Sequence, residues 1–131
     1  MRQYGSDIGM AFQIVDDVLD FREGTGHLGK PAGHDLTQGT VTLPTMIYTS
    51  GLTESSEARS RLEDVVSGAR DQPAEVQRVV DEIRNSGALD AAMREAEHFA
   101  NRSTSHAAIA PDPDTREMLT EIAEFVCDRS A

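Results

Sequence analysis

Hydrophobic residues recur with helical spacing from Tyr4 to Phe21, and they do so on two sides of the helix at once. At about 100° per residue, Tyr4, Ile8, Ala11, Phe12, Val15 and Leu19 fall on one apolar arc, while Met10, Ile14, Val18 and Phe21 fall on a second. The two arcs leave a narrow polar wedge of Gly5, Ser6, Gly9, Gln13, Asp16, Asp17 and Asp20. Such a helix is too apolar for a surface position, so a central helix over residues 1–23 is predicted.

Downstream, the pattern predicts further helices joined by short connections. Thr42-Leu43-Pro44 reads as a helix start running to Gly51, with Pro44 in the first turn. Thr53 and Ser55 are candidate N-caps for a helix with Ala58, Leu62, Val65, Val66 and Ala69 on its inner face. Pro73 opens another, carrying Val76, Val79, Val80 and Ile83, which Asn85-Ser86-Gly87 ends. A helix over about 88–106 uses Leu89, Ala92, Met93, Ala96, Phe99 and Ala100. After a linker over 107–114, Met118, Leu119, Ile122, Phe125 and Val126 mark the last helix. Strand alternation of useful length is absent from the pattern, and residues 22–39 read as a loop. The expectation is an all-α chain of about six helices.

Charge changes the picture at the end of the first helix. Asp16, Asp17 and Asp20 are carboxylates in one of the most apolar stretches of the chain, and an unpaired buried charge costs several kcal/mol. Something positive is needed there. The i,i+4 pair Asp16/Asp20 and the i,i+3 pair Asp17/Asp20 place oxygen ligands where they can share a hard cation. Mg²⁺ fits best, because it takes one or two carboxylates, keeps several waters and completes its shell with phosphate oxygens. Lys30, the single lysine against eleven arginines, stands ten residues after Asp20 in a glycine-rich stretch, Gly-His-Leu-Gly-Lys-Pro-Ala-Gly. That combination suits a diphosphate held by metal on one side and by an ammonium on the other.

These residues resemble a known family, the trans-type polyprenyl diphosphate synthases, which are all-helical isoprenoid-synthase enzymes. Tyr4-Gly5, Gly9, Ala11-Phe12-Gln13-Ile14 and Asp16-Asp17-Val18-Leu19-Asp20 are similar to the family's second aspartate-rich motif and its lead-in. Gly29-Lys30-Pro31, Gly33, Asp35-Leu36 and Thr42-Leu43-Pro44 are similar to its glycine-lysine loop and the start of the next helix. The resemblance implies that Asp16 and Asp17 bind Mg²⁺ holding a substrate diphosphate, with Asp20 supporting the site. It further implies that Lys30 contacts the diphosphate and that Gln13, with Phe12 beside it, lines the substrate cavity. Asp16, Asp17 and Lys30 are thereby the expected catalytic set, and the implied reaction is Mg²⁺-dependent head-to-tail condensation of isopentenyl diphosphate with an allylic diphosphate.

The chain departs from the family pattern in two places. Thr40 stands where the family often has a second lysine. Only one Asp-Asp-x-x-Asp occurs, so the first aspartate-rich motif is missing. Residues 1–131 are therefore expected to be the C-terminal part of one isoprenoid-synthase-type helical domain, inactive alone and homodimeric within a whole enzyme. A regulatory subunit derived from a prenyl synthase, or part of a class I terpene cyclase, are the alternatives. The intact acidic motif and Lys30 speak against the first, and the Gly-Lys-Pro and Thr-Leu-Pro elements against the second.

Composition narrows the partners. A net charge of −11 disfavours nucleic acid and anionic membranes. An 18-residue apolar run and a signal peptide are both lacking, which predicts no transmembrane segment and a cytoplasmic protein. Cys127 has no partner for an intrachain disulfide and reads as a small core residue of the last helix. His98 and His106 lack companion ligands for zinc, and His27 and His34 read as solvated loop residues. An uncovered apolar arc on the first helix, either Ile8, Phe12, Val15 and Leu19 or Met10, Ile14 and Val18, is expected to favour self-association.

Overall fold

The computed structural model describes residues 2–23 and 32–128. The described residues form seven helices and no strand: α1 (Arg2–Glu23), α2 (His34–Thr37), α3 (Leu43–Ser50), α4 (Glu57–Ser67), α5 (Pro73–Asn85), α6 (Ala88–Ala107) and α7 (Pro113–Asp128). The all-α expectation holds. The addition is α2, one helical turn within the stretch read as loop, and it carries His34. Proline opens α3 and α5 as the sequence indicates, where its missing N–H is no loss. The start of α4 is corrected: Ser56, rather than Thr53 or Ser55, is the N-cap, its Oγ accepting from the Arg59 amide at 3.1 Å.

The chain forms two compact units, Met1–Asp16 with Met93–Ala131, and Asp17–Ala92. In the first, Tyr4, Ala107, Ala110 and Leu119 form a buried cluster against which Ile8 packs. The Tyr4 hydroxyl donates to the Leu119 carbonyl at 2.7 Å, which ties α1 to α7. Burial raises the Tyr4 pKa above its ordinary value. The inner face of α7 is Leu119, Ala123 and Val126, whereas Met118, Ile122 and Phe125 point outward. All five apolar residues that marked this helix in sequence therefore do not share one face, and Cys127 is half-buried rather than core.

In the second unit, α4 packs on α2 and α5, and α3 on α5. Its core includes Val18, Phe21, Leu36, Leu62, Val65, Val79, Val80 and Ile83. Glu82 of α5 is the polar knot of this unit. Arg61 of α4 donates to its Oε1 from Nη2 at 2.7 Å and from Nε at 3.0 Å, and the Tyr48 hydroxyl of α3 donates to its Oε2 at 2.7 Å. Burial, reinforced by that bond to a carboxylate, pushes the Tyr48 pKa up to about 12.

Neither apolar arc of α1 is left wholly uncovered, contrary to expectation. Ile14, Val15 and Val18 are buried, and only Met10 and Phe12 are largely exposed, at 47% and 45%. Each arc has thus lost its middle to the core and kept one open residue. Removing the Tyr4 hydroxyl tests the α1–α7 tie. Tyr4→Phe is expected to lower stability by about 1 kcal/mol in denaturant unfolding, because the Leu119 carbonyl loses a buried donor while the ring still packs.

Candidate active site

Asp17 and Asp20 are buried, each about 9% exposed, on the C-terminal half of α1, and Asp16 is half-buried one residue earlier on the same helix. Gln13 and Phe12 lie one turn further back and are exposed. Lys30, with Gly29, Pro31 and His27, lies outside the described residues.

The surroundings of Asp20 are defined in detail. Its Oδ2 accepts from the Asp35 amide of α2 at 3.4 Å, and its main-chain carbonyl accepts from the Gly33 amide at 3.1 Å. Gly33 sits at φ +77°, in the left-handed region, and a Cβ there would run into the Val80 side chain. Glycine is thus required twice, for backbone conformation and for close approach. That turn brings the start of α2 onto α1, where the carboxylate meets main-chain N–H groups at a helix N-terminus. Burial raises the Asp20 pKa, and repulsion from the Asp35 carboxylate adds to it; the Asp35 and His34 amides and the His34 charge only partly offset these effects.

The end of α1 is also held from α5. Arg84 Nε donates to the Phe21 carbonyl and Nη2 to the Arg22 carbonyl at 3.3 Å, while Arg22 pairs with Asp90 at 3.3 Å. Consecutive carbonyls of Asp20, Phe21 and Arg22, which a helix end leaves without intrahelical partners, are therefore all taken. Sequence spacing gave no sign of Arg84, since 62 residues separate it from Arg22.

Asp7, an acidic residue on α1, was also missed. Asp7 is buried, and its Oδ2, without a hydrogen bond among the described residues, lies 3.4 Å from His106 Nε2 and 3.7 Å from Arg102 Nε. Its position among apolar helix residues was the available signal, the same one that drew attention to Asp17. Its partners, both on α6, make it a structural ion pair.

Among the described residues, no group of three or more His, Cys, Asp or Glu side chains is gathered to enclose a metal ion. The three carboxylates expected to share a cation are thus not preassembled as a cage. The donors present are hard oxygens, and Asp20 carries negative charge that burial and Asp35 make costly. This set fits a hard cation held by one or two carboxylates and otherwise by water or substrate oxygens.

The family model for polyprenyl synthetases matches residues 1–83. The chain belongs to the polyprenyl synthetase family. It is 30% identical over 129 residues to solanesyl diphosphate synthase 2, chloroplastic, of Arabidopsis thaliana, covering 98% of this chain and 29% of the plant protein. It is 31% identical over 126 residues to heptaprenyl diphosphate synthase component 2 of Bacillus subtilis, covering 96% of this chain and 34% of that protein. Its fold matches the crystal structure of a polyprenyl synthase from Caulobacter crescentus, complexed with calcium and isoprenyl diphosphate. That match has a TM-score of 0.85 and 35% identity, over 99% of this chain and 39% of the other. This polyprenyl synthetase chain therefore spans about a third of the length of the relatives it matches.

The environment of Asp20 generates a prediction. Its pKa is higher in the fold than in the unfolded chain, so the folded state favours the protonated form; the associated stability is complete in acid and lost as pH rises through the folded pKa. Asparagine imitates the protonated form and can still accept from the Asp35 amide. In metal-free buffer, Asp20→Asn is expected to unfold at a higher temperature than wild type at pH 7, with the gap closing as pH falls through the carboxylate range. A gap that widens in acid would show that the ionised carboxylate stabilises the fold.

Proposed function

We propose that this chain supplies one acidic wall of a Mg²⁺-dependent polyprenyl diphosphate synthase, which joins isopentenyl diphosphate to an allylic diphosphate. The observation that carries this reading is the burial of Asp17 and Asp20 at the tied-down end of α1, in a chain whose residues 1–83 match the family. Burial of two carboxylates there is costly for a mere scaffold and useful for holding a cation.

In the reaction, the allylic carbon–oxygen bond breaks with its electron pair going to diphosphate. The isopentenyl double bond attacks the allylic carbon, and the carbon next to the new cation then gives up a proton, which the released diphosphate can accept. A bound Mg²⁺ supplies charge neutralisation for the departing diphosphate. Asp16 and Asp17 present the oxygens that would hold it, and Asp20 supports them through its tie to α2. Lys30 is assigned the diphosphate as a hydrogen-bonding point charge, and Gln13 and Phe12 the substrate cavity. Because the chain carries a single Asp-Asp-x-x-Asp, the 131 residues are expected not to turn substrate over by themselves. They read as the C-terminal part of one helical isoprenoid-synthase domain.

Within a whole enzyme, a homodimer in the cytoplasm is the assembly proposed. Among the described residues no helix is long and apolar enough to cross a membrane. The outward Met118, Ile122 and Phe125 of α7 offer apolar area for self-association.

Thermal unfolding with Mg²⁺ and inorganic diphosphate tests the site. At ten times the Kd, the fold gains about 1.4 kcal/mol by mass action. Asp16→Ala and Asp17→Asn are expected to abolish the rise, and Lys30→Ala to reduce its diphosphate-dependent part. An equal rise in wild type and all three variants would place the ions elsewhere and refute the assignment.

A further inference from the structure

We propose that Arg84 is a positioning residue for the acidic turn of α1, a clamp that sets the aspartates in place for a cation without touching it. The inference rests on the functional reading above. Its basis is a geometry in which one guanidinium spans two successive carbonyls, Phe21 through Nε and Arg22 through Nη2 at 3.3 Å, directly after Asp20.

Three features make this more than routine helix capping. The C-terminal end of a helix carries partial negative charge, and here three aspartates stand within the last eight residues, so this end is where α1 has most reason to fray. A fixed cation on its final carbonyls opposes that tendency. The planar fork also constrains direction, because two parallel donors on neighbouring carbonyls fix the rotation of the last turn about its axis, which a flexible ammonium does not. Rotation decides where Asp17 and Asp20 project.

Arg84 is itself held in place. Its Nη1 lies 3.7 Å from Asp81 one turn earlier on α5, and the adjoining Ile83 is fully buried. The clamp therefore transmits the placement of a packed helix. Gly33 closes the other side by donating to the Asp20 carbonyl, so the last turn is gripped from α5 and from the start of α2. If the grip on α1 loosens, the Asp35 amide and the Asp20 carboxylate should lose their contact as well.

The test is Mg²⁺ titration of the full chain, followed by thermal unfolding and by calorimetry, for wild type, Arg84→Lys and Arg84→Met. Amide hydrogen exchange at Gly33 and Asp35 is measured alongside in metal-free buffer. Positioning predicts that Arg84→Lys, which keeps the charge, still weakens the Mg²⁺ midpoint about tenfold, within the range for residues that orient metal ligands. It also predicts faster exchange at both amides. If Arg84→Met does not fold, Arg84→Lys alone carries the test.

A midpoint within twofold of wild type in Arg84→Lys overturns the proposal, even if the melting temperature falls, since that is the result of a merely stabilising contact. Tighter Mg²⁺ binding in Arg84→Met overturns it too, because Arg84 would then act as a competing cation. Failure of the functional reading is distinct: it shows as a wild-type chain with no Mg²⁺ response, or with one that Asp17→Asn leaves intact.

Discussion

Placing carboxylates at the C-terminal end of α1, where that helix is mostly buried, is the constraint to which the second unit is fitted. Two costs coincide there, desolvation of charge and the negative end of the helix dipole. The fold meets them with main-chain amides and with arginine. Gly33 and Asp35 present N–H groups to Asp20, and Arg84 takes the next two carbonyls. Each contact also fixes an element. The left-handed Gly33 sets the entry to α2, and Arg84 sets α5 against the end of α1. With alanine in place of the aspartates the last carbonyls would still need these donors, and only the Asp35 amide that meets the Asp20 carboxylate would lose its role.

Much of the helical architecture was legible because its signals are local. Pro44 and Pro73 mark helix starts by lacking an N–H that those positions do not need, and Gly87 ends α5 at a positive φ of 86°. The misreadings share a different cause. Thr53, Ser55 and Ser56 are similar as N-caps by residue type, and Ser56 is the one with extended backbone and its Oγ on the Arg59 amide. In α7, apolar residues lie on both sides of the helix, so periodicity could not say that Leu119, Ala123 and Val126 face inward while Met118, Ile122 and Phe125 do not. The single turn α2 is too short to have a period at all.

The acidic motif itself could be read, because it breaks an apolar pattern within one helix. What could not be read was which distant groups meet it. Asp20 has its carboxylate placed at α2, 15 residues along the chain at Asp35, and the helix end beside it is gripped by Arg84, 63 residues from Phe21. Asp7 shows the same limit: burial on α1 made it conspicuous in retrospect, but its meaning comes from Arg102 and His106 on another helix. Local chemistry announces that a charge needs partners; tertiary structure decides whether they are protein groups or a ligand.

The helix α5 shows how that decision is made mechanically firm. Glu82 and Arg84 are two residues apart, and on a helix such residues point in nearly opposite directions. Glu82 accordingly reaches Arg61 and Tyr48 on α4 and α3, while Arg84 reaches the last carbonyls of α1. Val79, Val80 and Ile83 fill the buried face between these polar arms. Val80 also closes the space beside Gly33, so the same helix holds both the turn and the clamp that flank Asp20. A shift of α5 would move all three supports of the acidic turn together. The placement of Asp20 is therefore a property of packed helices rather than of a loop.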